Sequence, residues 1–276
     1  MQFKFPALIY VTGIFLAGFL FAQYPHSLIA TAEPVTANIP TIGQIQQNDV
    51  IYLGENHDSP AIHQQQLEII TRLQHNLANS EKKIAIALEM FQRPFQPILD
   101  SYLAGTITED QLREQTEYDT RWGFDWEFYA PILRFAKDRQ IPLVALNTPA
   151  EITQKVAVLG INSLQGNDWR YIPALKDIKL DHTEYRQRLT EIYQQHAKEG
   201  QGNSTDADNF FAAQVLWDET MAEAIATYNQ NYPHTQIIVL VGKVHVMYDY
   251  AIPDRVDRRI SNPNFTQTIL LLSSEQ

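Results

Sequence analysis

Five short apolar runs constrain this chain more than any other feature: Val50 to Gly54, Ile84 to Glu89, Pro142 to Asn147, Gln236 to Gly242 and Thr266 to Leu272. Each is rich in Ile, Val, Leu or Ala and shows little polar alternation. A strand covered on both faces by helices reads this way, whereas a half-solvated antiparallel strand alternates. Most of the runs lead into stretches with helical periodicity. The stretch after the first carries Ile62, Ile69, Ile70, Leu73 and Leu77 at helical spacing, with Ser59 placed to cap it and Pro60 at its first position. Thr148-Pro149-Ala150-Glu151 has the form of a capping box after the third run. The pattern predicts an α/β fold, a mostly parallel sheet flanked by helices.

The connection from Asn147 to Gln236 spans roughly 90 residues, several times what one crossover between parallel strands needs. Periodic stretches around Tyr185 to His196 and Phe210 to Asn229 predict helices there, a helical lid at about 160–230. Parallel sheets bind ligands in the crevice beyond the carboxyl ends of their strands, and an insertion from that edge closes over it. Between the two helices, "EGQGNSTDADN" at 199–209 has the composition of a mobile loop.

With 45% hydrophobic and 11% aromatic residues among 276, the chain can bury a large core, and 48–276 reads as a single domain. Before it, Lys4 precedes an apolar run of about 17 residues, the length of a secretory leader's core or a short membrane anchor. Ala30-Thr31-Ala32 offers a small-x-small cleavage site, so 1–32 is a signal peptide or a membrane anchor, and 33–47 is a linker rich in Pro, Thr and Gln. Either alternative makes the protein extracytoplasmic, periplasmic or secreted. There is no cysteine, so disulfides, thiolate chemistry and a cysteine-linked lipid are all excluded. A net charge of -11 without any basic tract excludes nucleic acid as a partner.

The ends of the predicted strands are polar: Gly54-Glu55-Asn56-His57, then Glu89, Asn147, and Gly242-Lys243-Val244-His245. In a parallel sheet with these strands adjacent, two carboxylates, two imidazoles and an amide share one crevice. That is the inventory of an acid–base site or a metal site. In this reading Glu55, His57, Glu89 and His245 activate water or hold a divalent metal ion, and Arg93 and Asn147 position substrate charge. Bland readings stand beside it. A charged strand terminus is often solvated, which applies to Glu89 alone, and His245 alone is as readily a surface histidine. His63 reads as a satisfied boundary histidine. The aromatics of 118–137 pack a core or wall a flat apolar ligand. Asp206, Asp208, Asp218 and Glu219 read as a solvated face with one or two contacts inward. The sequence contains no phosphate-binding glycine loop, no G-x-S-x-G elbow and no H-E-x-x-H pair.

The ordered set "YLGENHDSPAIH", "IALEMFQRPFQPILDSYLAG", "RWGFDWEFYAPILRFAK", "IPLVALNTPAEI", "FFAAQVLWDETMAEAI" and "IIVLVGKVHVMYDYAIPDRV" resembles the ChaN-like family of haem-binding uptake proteins, part of the Tiki superfamily. The likeness runs from residue 47 to residue 272, nearly all of the chain after the leader. It implies an α/β core with a helical lid, an extracytoplasmic location, haem or a related tetrapyrrole as ligand, and a link to iron uptake. It also implies a homodimer, since the type member holds cofacially stacked haems between two subunits. The wider superfamily includes the Tiki proteases, erythromycin esterases and TraB-like proteins. Their shared site matches Gly54 and His57 with Glu55, Glu89 and His245, which implies a hydrolase as the alternative. The iron ligand of the haem-binding members lies in the variable lid, where His182, Tyr185, Tyr193 and His196 are the His and Tyr side chains on offer. Tyr185, Tyr193 and His196 share a helix face, and Arg186, Arg188 or Lys198 would meet haem propionates. Without a cysteine, attachment to a membrane would use the N-terminal apolar run.

Overall fold

Val50–Glu55 (β1), Lys83–Gln92 (β2), Leu143–Asn147 (β3), Thr235–Gly242 (β4) and Gln267–Leu271 (β5) form one parallel sheet in the order β3-β2-β4-β1-β5. All five apolar runs are therefore strands, each within a few residues of its expected bounds. The computed structural model describes residues 41–274 except 79, 199–203, 205 and 249. The expected leader at 1–32 and most of the 199–209 loop lie outside the described residues.

The helices in chain order are α1 (Ile42–Ile45), α2 (Pro60–Leu77), α3 (Gln96–Leu103), α4 (Glu109–Gln115), α5 (Tyr118–Arg121), α6 (Trp126–Arg139), α7 (Ala150–Leu159), α8 (Thr183–Lys198), α9 (Ala207–Asn231) and α10 (Ile252–Asp257). Successive strand residues face opposite sides of the sheet. Ile51, Leu53, Ile86, Leu88, Ile238 and Leu240 therefore pack with α2 and α6 through Ile70, Leu73, Tyr129 and Leu133. Tyr52, Ala85, Ala87, Val239 and Val241 face the other way, onto Met221, Ala222 and Ile225 of α9. A third core joins α7, α8 and the start of α9 through Val156, Tyr185, Leu189, Phe211 and Leu216. That third core is the lid.

Several expectations need correction. Helix α1 falls inside the stretch read as linker. Ile45 is buried there, and Gln236 Nε2 donates to the Asn48 carbonyl at 2.6 Å, so the fold begins before residue 48. The lid does not extend through all of 160–230, because the second half of α9 is a sheet-packing helix, whose Met221, Ala222 and Ile225 lie against the strands. Strand β5 is not covered on both faces: it is an edge strand, with Leu271 52% exposed. The other edge is shielded by Gln96, whose amide donates to the Leu143 carbonyl and accepts from the Ala145 amide, both at 2.8 Å, as a neighbouring strand would. Neither predicted cap forms. Ser59 makes no capping bond, and Glu151 pairs with Arg121 at 2.7 Å instead of closing a box on Thr148. No helix among the described residues is long and apolar enough to cross a membrane.

Candidate functional site

Strands β1 and β4 are neighbours in register, Glu55 beside Gly242, and each carries near its end a glycine, Gly54 or Gly242, followed three residues on by a histidine. Both glycines answer to space. A Cβ on Gly54 would stand 2.9 Å from Leu271 Cδ2, and one on Gly242 would stand 2.9 Å from His57 Nε2. The imidazole of His57 thus lies directly over the backbone of the next strand. Gly242→Ala is accordingly expected to leave the thermal transition within a few degrees of wild type while moving the His57 ring resonances. NMR of the ring protons checks this, and an unmoved ring would show that the close approach is not maintained.

Each of the two imidazoles is held by a carboxylate. Glu55 Oε1 lies 2.8 Å from His57 Nδ1 and accepts the Tyr129 hydroxyl at 2.6 Å, while Oε2 accepts the Gln66 amide at 2.6 Å. A carboxylate only accepts, so His57 Nδ1 carries a proton and Nε2 is left facing Gly242. On the other side, Asp218 Oδ1 lies 2.6 Å from His245 Nδ1, and Asp218 Oδ2 accepts the Tyr185 hydroxyl at 2.6 Å. Glu89 stands between the two. Its Oε1 is 3.5 Å from His245 Nε2, and its Oε2 accepts the Gly242 amide at 2.6 Å, close to where His57 Nε2 approaches the same residue. The centre is closed: Glu55 is 1% exposed, Glu89 3%, His245 2% and Asp218 0%. His57 is its most accessible member, and its ring meets Trp122 edge-on at 4.7 Å and Phe124 at 5.0 Å.

Burial alone would neutralise these groups, but their pairing outweighs it. Desolvation pushes Glu55 up, yet the hydrogen bond and charge of His57, with His63 and Tyr129 adding to them, hold it below its ordinary value. Desolvation pushes His57 down, and the hydrogen bond to Glu55 with the charges of Glu89 and Glu55 raises it above the ordinary imidazole value, against repulsion from His245. His245 is raised too. There the charge of Glu89 and the hydrogen bond to Asp218 overcome desolvation.

Glu55, His57, Glu89 and His245, expected together from sequence, do converge. The divalent-metal expectation is corrected: among the described residues no group of three or more His, Asp or Glu side chains is arranged to hold a metal ion. Three of the four carboxylate oxygens of Glu55 and Glu89 are already engaged, by His57 and Tyr129, by Gln66 and by the Gly242 amide. Arg93 forms an ion pair with Glu223 at 2.6 Å, and Asn147 donates to the Glu89 carbonyl at 3.0 Å and accepts from the Thr148 amide at 2.8 Å, so both have protein partners. Of the lid candidates, Tyr185 turns inward to Asp218, and Tyr193 packs against Phe210 with ring centroids 5.7 Å apart. His182 is exposed and accepts the Tyr185 amide at Nδ1. The side chain of His196 lies outside the described residues.

Several members escaped the sequence reading. Of the four acids read as a solvated face with one or two contacts inward, Asp206 and Asp208 are exposed, and Asp218 and Glu219 are the inward two, fully buried in roles the sequence did not disclose. His63 is no boundary residue, since its Nε2 donates to the His57 carbonyl at 3.0 Å and its ring stacks on Phe128. The signal for Asp218 was present in "FFAAQVLWDETMAEAI", where the adjacent acids Asp218 and Glu219 interrupt a mostly apolar helix with no continuous polar face to hold them.

Comparison with known proteins follows this geometry. The sequence model of a family described as haem-binding uptake, Tiki superfamily, ChaN, matches residues 41–256. The chain is 20% identical to the structure solved for cofacial heme binding to ChaN of Campylobacter jejuni, with a TM-score of 0.65 over 85% of each chain, so the two share a fold. It is 25% identical over 243 residues to protein RETICULATA-RELATED 5, chloroplastic, of Arabidopsis thaliana. That match takes in 82% of this chain but only 31% of the plant protein.

Proposed function

The chain belongs to the haem-binding uptake family of the Tiki superfamily, ChaN, and on that premise we propose that it binds haem or a related tetrapyrrole outside the cytoplasm, in iron uptake or haem handling. The observation that carries the reading is the extent of the match, residues 41–256, which takes in four of the five strands, the buried centre and the lid together.

The lid and the segment leading into α10 together carry a donor set that suits such a ligand. Tyr248 and Tyr250 stack with ring planes 13° apart, Tyr250 meets His182 at 4.5 Å, and Arg188 Nε donates to the Tyr248 hydroxyl at 3.2 Å. These side chains are exposed or partly so. Aromatic faces suit a flat macrocycle, Tyr or His suits its iron, and a guanidinium suits its propionates. Tyr185, by contrast, is committed to Asp218. Bound haem would supply an iron centre with strong visible absorption. Haemin titrated into the protein is expected to give a shifted Soret band at micromolar protein. No shift would overturn the reading, and sedimentation of the same samples tests the homodimer that the family implies.

A second reading is favoured by one observation: two imidazoles with protonated Nδ1 atoms converge on Glu89 in a buried site where His57 is the most accessible member. In this reading Glu55, His57, Glu89 and His245 form an acid–base hydrolase, with the neutral His57 taking a proton at Nε2. A panel of esters and peptides left intact by purified protein would argue against it.

A further inference from the structure

The two halves of the buried centre repeat one arrangement. On one side β1 supplies Glu55 and His57, and α6 supplies the Tyr129 hydroxyl. On the other, β4 leads into His245, α9 supplies Asp218, and the lid helix α8 supplies the Tyr185 hydroxyl. Glu55 was foreseen from the sequence as part of the site, whereas Asp218 and Tyr185 were not foreseen in this role. We infer that Asp218 and Tyr185 are positioning residues of the centre, Asp218 holding His245 with its proton on Nδ1 and Nε2 turned to Glu89, and Tyr185 holding the Asp218 carboxylate. The inference rests on the acid–base reading and supplies the second half of its machinery.

The obvious structural alternative is that Asp218 serves as counter-ion to Arg255. The geometry is against it. Arg255 Nε lies 4.0 Å from Asp218 Oδ2 and makes no hydrogen bond, while the guanidinium is spent on Glu219, the next residue along α9. Both Asp218 oxygens are instead occupied by His245 and Tyr185 at hydrogen-bonding distance. A buried carboxylate whose short contacts are an imidazole and a phenol fixes the ring's orientation and tautomer, as carboxylates do behind histidines that act through their other nitrogen. Because Tyr185 sits on α8, the lid is hydrogen-bonded into the centre. Any movement of α8 away from the sheet frees Asp218 Oδ2 and loosens His245.

The test is heteronuclear NMR of the full chain at alkaline pH, where neutral rings keep one proton each. One far-downfield imidazole proton correlated to Nδ1 is expected from each of His57 and His245, beside an Nε2-correlated proton from His63, which donates to the His57 carbonyl. Asp218→Asn is expected to abolish the His245 resonance and leave that of His57, and Glu55→Gln to do the reverse. Tyr185→Phe is expected to keep the His245 resonance but speed its exchange with water about tenfold. A His245 proton correlated to Nε2, or one unaffected by Asp218→Asn, overturns the assignment. If Asp218→Asn does not fold, Tyr185→Phe decides, since an unchanged exchange rate removes the role of the lid helix and with it the inference. Hydrolysis of the ester and peptide panel by wild type is scored separately. Its absence removes the acid–base reading and leaves the resonances as they are.

Discussion

Glu219→Gln is expected to destabilise the fold by about 3 to 5 kcal/mol, the usual cost of breaking a buried ion pair from one side. Glu219 is fully buried in α9, and its carboxylate gathers Arg255, Arg258 and Arg259 from the end of α10 together with the Lys179 amide at 2.8 Å. An amide in its place keeps the shape and removes the charge. Arg255, 2% exposed, would then be left as a buried cation without its close partner, while Arg258 and Arg259 are more accessible and lose less. In a chain of this size the loss lowers the melting temperature by on the order of 10 °C. The control is Glu223→Gln. Its pair with Arg93 lies at 25% and 31% side-chain exposure, and breaking it should cost about 1 kcal/mol or less. Denaturant unfolding of the two variants checks the contrast. Equal effects would mean that burial does not set the value of these pairs.

How much of this was legible beforehand depends on how local the signal was. Strands announced themselves, because a covered strand needs an unbroken apolar run and nothing else in the chain competes for that pattern. The exception is β5, which reads as covered but lies at the edge, and edge or centre is decided by strand order, to which a single run is blind. The first half of the centre was legible for a similar reason: Glu55 and His57 follow a buried strand within three residues, and the same glycine-to-histidine spacing recurs after β4. The second half was not. Asp218 belongs to a helix 27 residues before its partner His245 in sequence, and Tyr185 lies 33 residues before Asp218. Nothing local says that a tyrosine on the lid reaches an acid in a sheet-packing helix. Only the crowding of α9 against α7, α8 and the sheet brings them together. The caps failed in the opposite direction. At Thr148 the local chemistry was right, but tertiary partners took it over, Arg121 for Glu151 and the Leu216 carbonyl for the Thr148 hydroxyl, while the adjacent Asn147 took the Thr148 amide.

Stability should peak on the acid side of neutral and fall as pH rises, because both imidazoles of the centre are raised on folding. Each is faced by carboxylates from different elements: His57 by Glu55 of β1 and Glu89 of β2, and His245 by Glu89 and by Asp218 of α9. Protonated rings are thus favoured in the folded state relative to the unfolded chain, where a histidine titrates near pH 6.5. Their contribution is fully present below about that pH and is lost as pH climbs through the raised folded values. Glu55 acts at the other end. Its folded value is depressed, so its contribution is present above about pH 4.3, the unfolded value, and disappears as pH falls through the folded one. The window in which all three contribute fully therefore lies between about pH 4.5 and 6.5. Denaturant unfolding from pH 5 to 9 should show the alkaline decline in wild type. In a His57→Gln, His245→Gln double variant the decline should flatten, even though the variant is less stable throughout, because both raised imidazoles are gone. A decline of the same size in the variant would mean that the two imidazoles are not the source of the pH dependence, and the charges that Glu55, Glu89 and Asp218 turn toward them would not be favouring the protonated rings on folding.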